Sequence, residues 1–137
     1  MENINLLAVL LSAVTAMVIG SLWYGPIFGK EFIKASGMDK WSSEKQAAER
    51  SKMGLTYFIQ FIGSLLMFYV LAHFIGGMGE LTIGDGLKTA FWTWLGFAVP
   101  VQLGNSIWGG NMKLFWLGIG NYLVTLLAAG TIIGAMG

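Results

Sequence analysis

Apolar residues run along this chain in long unbroken stretches, separated by short polar segments and without strand-like alternation. Four stretches are long enough to cross ~30 Å of hydrocarbon, a distance that takes about 20 helical residues. They extend from about Ile4 to Tyr24, Met53 to Ile75, Leu87 to Ile107 and Leu114 to Met136. Lipid cannot satisfy peptide N–H and C=O groups, so each stretch is predicted to be a helix. The missing period of two argues against a membrane barrel. The expected fold is all-α, a single integral membrane four-helix bundle over residues 1–137. The start Met1-Glu2-Asn3 has no basic residue and no small-x-small site follows Ser21, so the first stretch is expected to be a retained helix.

The one sizeable polar segment, residues 30–52, lies between the first two stretches. Lys30 to Ser36 should form a short interfacial helix ended by Gly37 in a left-handed cap. Phe32 and Ile33 would dip into the headgroups while Lys30 and Lys34 meet anionic lipid. Ser43 and Gln46 have the spacing of a capping box, with Ser43 as N-cap. The helix beginning there is expected to run unbroken to Ile75, roughly 50 Å. Gly76-Gly77-Met78-Gly79 should break it, and Trp108-Gly109-Gly110-Asn111 should make a tight turn. Pro100 should kink the third stretch and free a carbonyl near Gly96. Ser21-x-Trp23-x-Gly25 has an echo in Ser106-x-Trp108-x-Gly110, 85 residues on. That echo fits two parallel hairpins, and equally two tryptophans at a membrane edge.

Composition sharpens this picture. Only 11% of positions are charged against 55% hydrophobic, and mean hydropathy is +0.68. A soluble domain is normally ~25% charged, so these residues cannot wet a water-facing surface. The net charge of +1 offers no footprint for nucleic acid. With no cysteine, neither a disulfide nor a thiolate site is possible. Orientation follows from the basic residues. Lys30, Lys34, Lys40, Lys45, Arg50, Lys52 and Lys113 fall on one side, and Lys88, near Glu80 and Asp85, on the other. The positive-inside rule then puts segment 30–52 in the cytoplasm and both termini outside, in a multi-pass protein of the cytoplasmic (inner) membrane.

The junction Trp23-Tyr24-Gly25-Pro26-Ile27-Phe28-Gly29-Lys30, with Trp94-Leu95-Gly96-Phe97 and the later Gly118, Gly120 and Tyr122, resembles the small bacterial membrane proteins grouped as domain of unknown function 1761. The resemblance covers nearly the whole chain, with Phe32 where the family usually has another aromatic residue. It implies a four-helix integral membrane protein and no assigned activity.

No Asp, Glu, Lys or Arg lies in the middle of any stretch, which counts against an ion-coupled transporter or an intramembrane hydrolase. No catalytic, metal or cofactor-binding residue is expected. What remains is a candidate polar cluster of Tyr24, Gln60, Gln102, Asn105 and Asn121. It can be read as a vestibule open to the cytoplasm or as amide pairs locking helices at ~0.6 kcal/mol each. His73 stands alone, the pattern of an interfacial residue and not of a metal site. Trp23, Trp41 and Trp108 are expected at the inner interface, and Trp92 and Trp94 as lipid-facing bulk. Ala16, Gly20, Gly118, Gly130 and Gly134 form small-residue faces for helix packing, within the chain or in a homo-oligomer such as a dimer. Two functions follow. The first is a non-catalytic membrane component that scaffolds or binds membrane lipids or a partner. The second is an oligomeric passive conduit for a small neutral or weakly charged solute.

Overall fold

A computed structural model describes residues 4–77 and 82–136 of the chain. Its helices are α1 (Leu6–Leu22), α2 (Gly29–Ser36), α3 (Ser43–Ser51), α4 (Met53–Gly77), α5 (Ile83–Thr93), α6 (Val99–Gly109) and α7 (Met112–Met136). Two π turns, Trp23–Ile27 and Trp94–Ala98, extend α1 and join α5 to α6. The described residues contain no strand. Met78 and Gly79 of the expected helix break, and Glu80 of the expected outer side, lie outside them.

Asparagines set two of the helix starts. Asn5 accepts a hydrogen bond from the Ala8 N–H at 3.1 Å, satisfying one free donor of the first turn. Its own Nδ2 donates to the Met136 carbonyl at 2.9 Å, tying the start of α1 to the end of α7. Asn111 repeats the device. It accepts from the Leu114 N–H at 3.1 Å and donates to the Ala35 carbonyl at 2.7 Å, tying the start of α7 to the end of α2. Gly37 (φ 79°) and Gly110 (φ 74°) close α2 and α6 in the left-handed region, where glycine has no Cβ to clash.

The polar segment differs from expectation in two ways. The N-cap of α3 is Ser42, whose hydroxyl accepts from the Lys45 N–H at 3.1 Å; Ser43 is already inside the helix. Of two adjacent serines, the one with extended backbone (ψ 160°) takes the cap. Lys45 then occupies the third helical position, so the reciprocal bond of a capping box is not made, and Gln46 donates to the Trp41 carbonyl at 3.4 Å. The helix from Ser43 is also not continuous. Lys52, with ψ near zero (−5°), separates α3 from α4.

Among the described residues, three segments are long and apolar enough to cross a membrane: Leu6–Ile27, Met53–Gly77 and Met112–Met136. The third expected stretch is helical from Ile83 to Gly109, but its π turn divides it into α5 and α6 of 11 residues each. The disturbance from Pro100 takes this form because proline offers no N–H to the preceding turn.

Helix α7 is the centre of the packing, with ten buried residues and α5, α1, α6 and α4 all against it. The apolar core joins Ala8, Val9 and Ala13 to Phe68, Leu71 and Ile75 and to Leu126, Ala129 and Ile133. Beside it α5 and α7 cross backbone to backbone. A Cβ added to Gly86 would overlap the Gly130 carbonyl, one on Gly130 the Gly86 carbonyl, and one on Gly134 the Thr82 carbonyl. The opposite end is open: residues 51–60 are exposed throughout, and α6 buries only Ser106.

Candidate functional site: two tryptophan clamps and an apolar groove

The two π turns are built alike. Each opens on a tryptophan followed two residues later by glycine, Trp23-Tyr24-Gly25 and Trp94-Leu95-Gly96. In each, an amide five residues on bonds the tryptophan carbonyl: Phe28 to Trp23 at 2.9 Å, and Val99 to Trp94. In each, the indole N–H reaches α7. Trp23 donates to the Leu117 carbonyl at 2.9 Å and Trp94 to the Ile119 carbonyl at 2.8 Å. Residues two apart lie about 200° apart around a helix axis, so the two bonded carbonyls sit on nearly opposite sides of α7, which is gripped from both. Gly120 gives the room: a Cβ there would lie 2.7 Å from the Trp23 ring. The Trp23 ring also packs on Phe28 and the Tyr24 ring on Phe32, both at 4.7 Å between centroids. These contacts seat α2 on the first π turn.

At the second π turn lies a groove of about 470 Å³ between α4, the α5–α6 junction and α7. Gly63, Leu66, Val70 and Phe74 form one wall, Phe97, Val101 and Gln102 the other, and Tyr122 and Leu126 the floor. Of its lining, only Thr93, Gln102 and Tyr122 can form side-chain hydrogen bonds. Such a pocket can bind and orient a ligand through shape and neutral hydrogen bonds. Among the described residues its lining holds no carboxylate, imidazole, amine or guanidinium.

The five residues of the expected polar cluster are only partly together. Tyr24 and Gln102 converge over Gly118, where an added Cβ would lie 3.7 Å from the Gln102 Oε1 and 4.0 Å from the Tyr24 hydroxyl. Gln60 and Asn105 are exposed and do not line the groove. Asn121 is half-buried, and its Oδ1 is fully buried without a hydrogen-bond partner, as is the Thr125 Oγ1 one turn later. His73 meets the Tyr69 ring edge-on at 4.8 Å. Among the described residues no group of three His, Asp or Glu side chains is placed to hold a metal.

The packing residues also separate. Gly130 and Gly134 meet α5, Gly118 meets Gln102, and Ala16 packs on the core, whereas Gly20 has nothing near a would-be Cβ. The Ser-x-Trp-x-Gly echo has no structural counterpart, because Trp23 is a clamp and Trp108 is 91% exposed. The clamps themselves are absent from the sequence-based expectations for Trp23 and Trp94. The signal was available, since both tryptophans precede a glycine by two residues and a proline by three or six.

The described residues define an all-α class of protein, with three membrane-length apolar helices and an uncharged groove. More narrowly, residues 7–134 match the family described as protein of unknown function (DUF1761), and the chain belongs to that family. No curated protein and no solved structure matches it.

Proposed function

We propose that this protein is a non-catalytic membrane component that binds a lipid-like ligand in the groove between α4 and the α5–α6 junction. One observation carries this reading: a groove of about 470 Å³, within the range of ligand sites, with an almost wholly apolar lining. The proposed setting is a four-helix bundle of the inner membrane, with Ile83–Gly109 as a further crossing and the basic segment 30–52 in the cytoplasm. The conduit reading has less behind it, because Gln60 and Asn105 are exposed and do not line the groove. Gly20, open beside Ala16, is the small residue on α1 free to meet a second copy.

Native mass spectrometry of the detergent-purified protein tests the binding. Wild type should retain a lipid-sized adduct, and Gly63→Trp, which fills the groove from an open position, should lose it. Equal retention in both removes the proposal. For orientation, Ser43→Cys should resist a thiol reagent added outside cells, while Gly84→Cys should react.

A further inference from the structure

We propose that the groove takes a single-chain amphipath with an uncharged, hydroxyl-bearing head, its head against Gln102 and Tyr122 and its chain along α4. This rests on the lipid-binding reading and narrows it. Volume decides the number of chains. At roughly 30 Å³ per water-sized group, the groove holds about fifteen such groups, enough for a glycerol-sized head and the first part of one chain, whose remainder runs out along α4, and too few for a second chain beside it.

Charge decides the head. Among the described residues no Asp, Glu, Lys, Arg or His lines the groove. An ionised head would give up its water there and meet no opposite charge, a severe penalty far from the interface. Gln102 lies seven residues before the end of α6 at Gly109, about 10 Å along the helix.

The hydrogen-bonding groups decide the head's chemistry. The Thr93 hydroxyl is engaged, donating to the Ala90 carbonyl at 3.0 Å. Gln102 and Tyr122 have no hydrogen-bond partner among the described residues. A carboxamide and a phenol each offer a donor and an acceptor. A phosphate or carboxylate only accepts and an ammonium only donates, whereas a hydroxyl does both.

The test compares three probes of equal chain length in a non-ionic detergent, read by native mass spectrometry: monoolein, oleate and octadecene. Monoolein should bind one to one and at least about 5-fold tighter than either of the others, the equivalent of one net hydrogen bond. Gln102→Leu should weaken monoolein by about the same factor and leave octadecene unchanged. Gln60→Leu, on the exposed surface, should change nothing. Circular dichroism matching wild type shows that each variant is folded, and Tyr122→Phe gives a second probe of the head contact. Oleate or octadecene binding as tightly as monoolein, or monoolein binding unmoved by both Gln102→Leu and Tyr122→Phe, overturns the neutral-head inference while loss of binding in Gly63→Trp still upholds the groove. Monoolein binding unchanged in Gly63→Trp overturns both.

Discussion

The two ends of α7 are held in opposite ways. Toward its C-terminus the helix lies directly on α5, glycine against glycine, with no side chain between Gly86 and Gly130. Toward its N-terminus the neighbours stand off, and long tryptophan side chains bridge the gap to the carbonyls of Leu117 and Ile119. Close approach gives many short-range contacts but no room for a ligand. Standing off leaves the groove, and the indole bonds fix the helix positions that contacts no longer fix. The rigid half supports the half with room for a ligand.

The largest effect should come from breaking the closed end. Gly130→Val or Gly86→Val puts a branched side chain into a backbone carbonyl that cannot rotate away, and should destabilise by about 3 kcal/mol or more. Thermal unfolding in detergent, followed by circular dichroism, would measure it. Gly104→Ala, inside α6, is the control: it meets open space and should be neutral or more stable by up to about 1 kcal/mol. A mild effect at Gly130 would mean that α5 and α7 are not in backbone contact.

Next in size is the clamp. Gly120→Ala pushes on the Trp23 ring at 2.7 Å and should cost about 1–2 kcal/mol. The cost should shrink in a Trp23→Ala background, where the obstacle is gone, and a double-mutant cycle reads the difference. At the second clamp, Trp94→Phe keeps a ring but loses the N–H bonded to Ile119, and should cost about 1 kcal/mol. Trp92→Phe, two residues away and 63% exposed, should cost almost nothing. Equal effects at 92 and 94 would reduce the clamp to simple apolar bulk.

Much of the scaffold was legible because lipid imposes it. Long uncharged runs had to be helices, and Gly37 had to end one. The π turn at Trp94 was less so, since Pro100 signals only that an N–H is missing and not how the preceding ladder adjusts. The groove was least legible. Leu66, Val70 and Phe74 look in sequence like any lipid-facing residues, and only the separation of α4 from α6 makes them a wall. Gln60 and Gln102 are chemically identical amides in similar apolar runs, yet one is exposed and the other lines the groove. Depth along a helix could be counted from the sequence. Facing could not, because no strong apolar–polar asymmetry marks a helix surrounded by lipid.

The smallest effect concerns two threonines of α7 six residues apart, and its sign matters more than its size. The Thr131 hydroxyl donates to the Leu127 carbonyl at 2.9 Å, so Thr131→Val should lose about 0.5 kcal/mol. Thr125 is just 4% exposed and its Oγ1 has no partner, so the folded state carries a desolvated hydroxyl without return. Valine has nearly the same shape and needs no partner. Thr125→Val should therefore be neutral or more stable by up to about 1 kcal/mol in the same thermal assay. Because the Asn121 Oδ1 one turn earlier is also unpartnered, Thr125→Val should leave the effect of Asn121→Leu unchanged. A loss at Thr125, or coupling between the two sites, would mean that these groups share a polar partner inside the bundle. The polar centre would then extend along α7 beyond Gln102 and Tyr24, and the open half would be wetter than its groove lining indicates.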